Sequence, residues 1–385
     1  MPDQLELNLV TAEDRRSRWR GIIVAAIFLA GLALRVWGLK WALPAVIHHD
    51  ERNVALSVLK GLFSGNLCPQ FYYYPSLSVL SHYLAASAAY IVGNASGLFA
   101  KLTDLRVQDY LPYARLISAL SGALTVLVVT KTAMAIRKDA AIPAAVVSAF
   151  GSLSTLHSHY ATPDASLVLF IQLALLFAML SIERESMRLN AWAAAFSAVA
   201  ASFKYTGVLA IIPVLIAACT IKSSLRRRTR LAIPAVVATV VFAALNIGAI
   251  FDLPTLFDHL RFEALHYFKA GNLGIINTAS ENPGGIVFHL RAMLGDIGYI
   301  AAGFALFGII VSFTFRSGRR YLAVAMTFAI PHLILFSSAR AAFPRNILPV
   351  TPILTVFAGV AIAWFVASFK TTSVRPKVAV LTMAF

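Results

Sequence analysis

The stretch GIIVAAIFLAGLALRVWGLKW at residues 21–41 is soon followed by the polar sequence His48-His49-Asp50-Glu51-Arg52-Asn53. A helix needs about 20 mainly apolar residues to cross the hydrocarbon core of a bilayer, so residues 21–41 are predicted to span a membrane. An acid pair placed where a span meets water is costly to keep there unless it binds something or does chemistry. Asp50 and Glu51 are therefore the first candidates for a functional site.

The composition of the whole chain also predicts a membrane protein. The 385 residues are 59% hydrophobic and 13% charged, and the mean hydropathy is +0.76. These values are too apolar for a soluble globular protein of this length. The predicted fold is all-α, a polytopic transmembrane helical bundle with about 11 spans and additional juxtamembrane helices on the outer face.

The domain organisation follows from the same pattern. Residues 1–20 are predicted to be a cytoplasmic tail and residues 21–385 a single transmembrane domain, with a first outer loop at 42–111 and a long outer loop at 252–290. After Asp50, apolar residues recur at the three-to-four spacing of an amphipathic helix that lies on the membrane surface. Residues 378–385 begin an eleventh span and stop inside it, which predicts that the chain is truncated at its C-terminus.

The positive charges predict the orientation. The net charge is +16, but most Lys and Arg residues fall in short loops between apolar runs, which is the orientation signal of a membrane protein. The bilayer is thus the predicted partner, and nucleic acid is not. Arg15, Arg16, Arg18 and Arg20 place the N-terminus in the cytoplasm, and we expect a bacterial inner membrane or a plasma membrane.

One apolar run, residues 72–92, leaves two topologies open. If it spanned, most later clusters of Lys and Arg would lie outside, against the positive-inside rule, so we interpret it as a surface or re-entrant helix. The remaining spans are predicted at about residues 112–136, 140–157, 164–182, 190–205, 207–221, 231–251, 291–315, 321–337 and 346–369.

This topology collects three acidic residues on the outer face, namely Asp50, Glu51 and Asp164. A partly desolvated carboxylate is suited to take a proton from an acceptor hydroxyl or amine, so these are the candidate catalytic residues. The simpler alternative is that each acid caps a helix. The adjacent histidines His48 and His49 do not have the spacing of a metal site.

Four cations on the same face are candidate ligands of a donor phosphate. Cations on the side that the positive-inside rule disfavours often bind an anion, and the candidates are Arg115, Lys204, Arg340 and Arg345. The alternative for Lys204 is that its side chain extends to the membrane surface.

Aromatic and imidazole side chains accompany these charges. The long loop at 252–290 is rich in Phe, His and Gly, and a loop of this length is usually functional or disordered. Its aromatic residues are suited either to stack on a sugar or to anchor an interfacial segment. The candidate acceptor or sugar contacts are His49, His159, Tyr160, His266 and Tyr267.

The ordered set of these residues resembles the GT-C glycosyltransferases, specifically glycosyltransferase family 39. Members include protein O-mannosyltransferases and lipid A aminoarabinose transferases. The set is Asp50-Glu51, Tyr74-Pro75, Arg115, Asp164, Lys204 before Gly207, and Arg345-Asn346-Ile347-Leu348-Pro349. Many relatives have Pro where this chain has His49, and some have Lys where it has Tyr74, so a phosphate-binding lysine is absent there.

The resemblance implies transfer of a sugar from a polyprenyl-phosphate donor to an extracytoplasmic protein, lipid or polysaccharide, with inversion. Asp50 resembles the catalytic carboxylate, Glu51 its partner and Asp164 the second acid. No cofactor is required, and a divalent metal is compatible with the reaction but not supported by the spacing. The alternatives are a transporter or lipid flippase with an acidic gating pair, and an inactive scaffold.

Overall fold

The structure, a computed structural model, describes residues 2–66, 70–270 and 285–372, and no strand occurs within them. Its helices are α1 (Pro2–Val36), α2 (His49–Ser64), α3 (Ser76–Ala95), α4 (Val107–Ile136), α5 (Ala141–Ala149), α6 (Ser152–His157), α7 (Asp164–Glu183), α8 (Met187–Phe203), α9 (Ile211–Thr220), α10 (Arg227–Leu245), α11 (Ile247–Ile250), α12 (Leu253–Leu265), α13 (Gly285–Ile297), α14 (Tyr299–Ser312), α15 (Arg316–Ser338) and α16 (Thr351–Thr372). The predicted eleventh span at 378–385 and part of the long loop, 271–284, lie outside the described residues.

Short helical turns connect several of these helices. Four are 3-10 turns, at Leu102–Asp104, Lys138–Ala140, Tyr205–Ala210 and Pro344–Ile347. A π-helical turn at His266–Ala270 continues α12. The turns at Tyr205–Ala210 and Pro344–Ile347 directly follow or contain basic residues that the sequence identified as candidates.

Seven helices in the described part of the chain are long and apolar enough to cross a membrane, or up to eight if a bent pair counts as one span. They include the stretch Ser17–Val36 of α1, and also α3, α4, α7, α10, α15 and part of α16. The all-α fold is as predicted, but the number of about 11 spans is not confirmed. Because α3 meets the length and hydropathy conditions of a span, its surface or re-entrant placement stays a prediction.

Several predicted spans are interrupted in the structure, and two of the breaks are described here. The span predicted at 291–315 is split into α13 and α14, which meet at an angle of 106°. The break lies at Gly298, whose φ of 81° falls in the left-handed region that favours glycine. The span predicted at 140–157 is likewise split into α5 and α6, which are separated at Phe150 and Gly151.

The bundle packs closely where small residues face each other. A Cβ at Gly308 of α14 would lie 2.0 Å from the Phe357 carbonyl oxygen of α16, and a Cβ at Gly359 of α16 would lie 2.5 Å from Ala144 of α5. Both sites therefore require glycine, as is usual where membrane helices approach each other. These contacts place α16 directly against α5 on one side and α14 on another.

A separate apolar core fixes α2 against α3 and the first turns of α4. Val54, Ala55, Val58 and Leu59 of α2 are all buried in it, which confirms the amphipathic helix predicted after Asp50. The core sets the rotation of α2 about its own axis. It therefore determines which way the acids of the first turn of α2 point.

Candidate active site

The acids of the candidate site lie in the first turn of α2, where negative charge is favoured by the helix dipole. Successive residues of a helix point about 100° apart. Asp50 and Glu51 are neighbours in the sequence, but their side chains meet different cations on different helices.

Glu51 and Arg115 form a buried, bidentate ion pair. Arg115 Nε and Nη2 donate to Glu51 Oε1 and Oε2, each at 2.8 Å, and the side chains are 0% and 1% exposed for Glu51 and Arg115. Glu51 Oε1 also accepts the Ala161 N–H at 2.6 Å. Arg115 Nη1 donates to the carbonyl oxygens of Leu39 and Trp41. The geometry favours a structural role for both residues, although the sequence predicted a catalytic acid and a phosphate ligand.

Asp50 pairs instead with Arg345 of the Pro344–Ile347 turn. Arg345 Nη1 donates to Asp50 Oδ2 at 2.6 Å, and the side chains remain 19% and 16% exposed for Asp50 and Arg345. The Arg345 guanidinium lies 4.8 Å from the centre of the Phe343 ring, in the range of a cation–π contact. Burial opposes the charge on Arg345, but Asp50 and Asp164 outweigh it, so the pKa of Arg345 is raised above its ordinary value.

Asp164 and Lys204 form a third ion pair. Lys204 Nζ donates to Asp164 Oδ1 at 2.8 Å, with side-chain exposures of 14% for Lys204 and 4% for Asp164. Asp164 is the first residue of α7 and Lys204 follows the last residue of α8, so the pair joins the open ends of an antiparallel helix hairpin. Arg345 acts electrostatically on both Asp164 and Lys204. We name Asp50, Asp164, Lys204 and Arg345 the charged cluster.

Three further residues interact electrostatically with the charged cluster, and the sequence did not predict a role for them in the site. Tyr74 interacts with Asp50 and Arg345, and burial raises its pKa well above the ordinary value. Burial also raises the pKa of Glu263, and the positive charge of Lys204 opposes this rise. His48 precedes α2, and burial lowers its pKa. A carboxylate among the aromatic residues of the long loop was the available signal for Glu263.

The three candidate acceptor or sugar contacts in the first half of the chain differ in their exposure and in their partners. His49 is exposed, and its Nε2 pairs with the Asn53 side chain at 2.9 Å. His159 is engaged by two carbonyl oxygens, those of Thr155 and Trp37. Tyr160 is half-buried, with its ring 4.4 Å from the ring of His48.

Of the candidate site residues in the second half of the chain, two interact with the charged cluster and one lies outside it. Tyr267 is half-buried, interacts with Lys204 and Arg345, and packs against Phe343 with ring centres 6.1 Å apart. His266 also interacts electrostatically with Arg345 and Asp50. The predicted phosphate ligand Arg340 is exposed, and its Nη1 donates to the Lys269 carbonyl oxygen at 3.3 Å. Arg340 therefore lies outside the charged cluster.

The residues that the structure describes contain no group of three or more His, Cys, Asp or Glu side chains that could hold a metal ion. The charged cluster has two acids, each bound to a cation. The absence of a metal requirement stays a prediction.

Three solved structures resemble the whole described chain. ArnT from Cupriavidus metallidurans bound to undecaprenyl phosphate gives a TM-score of 0.63 at 19% identity, over 93% of this chain and 63% of that one. Its apo state gives 0.58 at 20%, over 94% and 63%. The oligosaccharyltransferase AglB from Archaeoglobus fulgidus, in complex with an inhibitory peptide and a dolichol-phosphate, gives 0.58 at 14%, over 96% and 54%.

The chain has the GT-C fold. Residues 98–248 of this GT-C chain also match the family described as dolichyl-phosphate-mannose-protein mannosyltransferase, so the resemblance inferred from the sequence is confirmed. No curated protein matched the sequence. The chain spans 63% of the length of each ArnT structure.

Proposed function

We propose that this GT-C chain transfers a sugar from a polyprenyl-phosphate donor to an extracytoplasmic acceptor. The observation that carries the proposal is the partly exposed Asp50–Arg345 pair beside Lys204 and Asp164. This arrangement puts a base and two cations in one accessible place. ArnT was solved with undecaprenyl phosphate and AglB with a dolichol-phosphate, which supports the same class of donor here.

The first step of the proposed mechanism is an exchange of partners at Arg345. A donor phosphate competes with Asp50 for the guanidinium, because Arg binds carboxylate and phosphate oxygens through the same planar set of N–H groups. Lys204 supplies the second cation, and Asp164 keeps the Lys204 ammonium in place at 2.8 Å. Binding of the donor therefore frees the Asp50 carboxylate beside the sugar.

The second step is a single displacement. The acceptor nucleophile forms a bond to the anomeric carbon while Asp50 takes its proton. The bond between the anomeric carbon and the phosphate oxygen breaks, and its electron pair leaves with the polyprenyl phosphate. Arg345 and Lys204 stabilise the charge that develops on the leaving group. The product has inverted anomeric configuration, and the scheme requires no metal ion.

The acceptor belongs to one of three classes, protein, lipid or polysaccharide. We propose that His266 and Tyr267 contact the acceptor or the donor sugar, since both interact with the charged cluster. The GT-C fold does not favour the alternative of a transporter or lipid flippase.

The first prediction tests the base. Asp50→Asn removes the proton acceptor but keeps the size of the side chain and an oxygen that can accept from Arg345. We expect transfer from a panel of radiolabelled polyprenyl-phosphate sugars to fall by about 10²- to 10⁴-fold, the usual contribution of a general base. The measurement uses membranes that carry the full-length protein.

The matched control is Asp258→Asn, which changes an exposed acid on α12. It should transfer sugar at the wild-type rate. Equal transfer by wild type and Asp50→Asn would remove Asp50 from the mechanism. No transfer by the wild type from any donor, to protein, lipid or polysaccharide, would count against the whole proposal.

A further inference from the structure

The turn that carries Arg345 is too short to orient a side chain by itself. It comprises only Pro344–Ile347, and a single 3-10 turn has few internal hydrogen bonds. Yet the Arg345 side chain is held against Asp50, with Nη1 at 2.6 Å from Oδ2. Contacts from outside the turn therefore have to fix its main chain.

Two buried side chains from two different helices contact the main chain, one within the turn and one two residues beyond its end. His332 of α15 approaches the Asn346 carbonyl oxygen with its Nε2 at 2.6 Å, and Gln172 of α7 donates from Nε2 to the Pro349 carbonyl oxygen at 2.9 Å. His332 is 1% exposed and Gln172 is 3% exposed. Since a carbonyl oxygen can only accept, His332 Nε2 carries the proton.

The orientation of His332 is itself constrained by its neighbours. Its ring lies between Phe328 and Phe336, with ring centres at 5.2 and 4.8 Å. Both phenylalanines are buried, so the imidazole cannot turn away without disturbing the core. Gln172 lies on the same helix as Asp164, so α7 registers the Arg345 turn against the second acid of the charged cluster.

We infer that His332 and Gln172 are positioning residues for Arg345, which act by fixing the main chain on its C-terminal side. Neither side chain belongs to the charged cluster, and neither is assigned a part in the chemistry. The inference rests on the proposed function only in one consequence. Loss of these contacts should lower the affinity for the donor phosphate.

The test measures the affinity of the full-length protein, in lipid nanodiscs, for undecaprenyl phosphate. His332→Phe removes the Nε2–H group and puts a somewhat larger aromatic ring in its place, and we expect about tenfold weaker binding of undecaprenyl phosphate, equivalent to about 1.4 kcal/mol. His332→Gln keeps an N–H donor and should recover most of the affinity. In an Arg345→Met background, His332→Phe should have no further effect, because the residue through which it acts is gone.

A matched control separates positioning from general loss of stability. Asn190 is 0% exposed and donates from its amide to the Val214 carbonyl oxygen at 3.0 Å, at the opposite end of α8 from Lys204. Asn190→Leu should lower the melting temperature as His332→Phe does, with unchanged affinity for undecaprenyl phosphate. Unchanged affinity in His332→Phe, or an equal loss with and without Arg345, would overturn the inference.

A second measurement decides the inference if the wild type does not bind undecaprenyl phosphate, a result that would contradict the proposed function instead. It is the structure of His332→Phe by electron cryo-microscopy. Loss of the 2.6 Å contact between Arg345 and Asp50 supports positioning. Retention of that contact with the turn unmoved overturns it.

Discussion

Asp50 and Glu51 are adjacent acids with opposite surroundings. Glu51 is 0% exposed and fully engaged by Arg115 and a main-chain N–H, whereas Asp50 is 19% exposed and shares one oxygen with Arg345. Exchange of a buried partner would leave a charge without water or a counterion. A partly exposed pair can exchange partners at a much lower cost. The Glu51–Arg115 pair is therefore closed to solvent, whereas the Asp50–Arg345 pair is the one that a donor phosphate opens in the proposed mechanism.

The largest effect on stability should come from Glu51→Gln. It leaves the buried Arg115 guanidinium without its counter-charge, and we expect the free energy of unfolding to fall by about 3–5 kcal/mol. Asp50→Asn, one residue away, should cost less than about 1 kcal/mol, because its pair is accessible to water. Unfolding in detergent followed by circular dichroism compares the two. Equal losses would mean that the two pairs are equivalent after all.

An intermediate effect is expected on donor binding rather than on stability. Arg345→Gln should weaken the binding of undecaprenyl phosphate by about ten- to a hundredfold, since hydrogen bonds to charged groups are worth about 1.5–3 kcal/mol. Arg340→Gln is the matched control, because Arg340 is an exposed arginine outside the charged cluster. It should change the affinity by less than about threefold. If both variants bind alike, the phosphate lies elsewhere.

The smallest effect concerns pH and the residue before α2. Burial lowers the pKa of His48 below its ordinary value of 6.5, which the charge of Asp50 partly offsets. As the pH falls, His48 is therefore protonated in the unfolded chain at a higher pH than in the folded chain. The stabilising contribution is complete above about pH 6.5 and is lost as the pH falls through the lower pKa of the folded state.

Melting temperatures between pH 7.5 and 5 test this prediction. His48→Gln should flatten the decline on acidification by a small amount, and His49→Gln, which changes the exposed neighbour, should leave it as in the wild type. If the melting temperature of His48→Gln falls with pH as steeply as that of the wild type, a group other than His48 causes the loss of stability at acidic pH.

Much of this site could be predicted from the sequence. The rule on loop charges gathered Asp50, Asp164, Lys204 and Arg345 on one face, and the structure brings these four together. The rule did not predict that Arg115 pairs with the buried Glu51, because an arginine that binds a buried glutamate and an arginine that binds a phosphate look alike in a sequence. The rotation of α2 against its core decides between them, and it depends on residues distant in the chain.

The helix break at Gly298 could not be predicted for a related reason. Apolar composition continues through residues 291–315, so the pattern favours one span, whereas the structure bends by 106° at a glycine with positive φ. Glu263 was missed because burial, which gives an acid in a loop its significance, is a property of the folded chain. Hydrophobic periodicity carries no information on either point.

The contact between Asp50 and Arg345 joins residues that are 295 positions apart. At the usual rates of synthesis, roughly 15–60 s separate their emergence from the ribosome. During that interval α2 is already made and its acid has no arginine to meet. A growing chain thus acquires its spans one after another, but it gains the Asp50–Arg345 pair only near the end of the described sequence, so the proposed active site is completed late although its proposed base is made early.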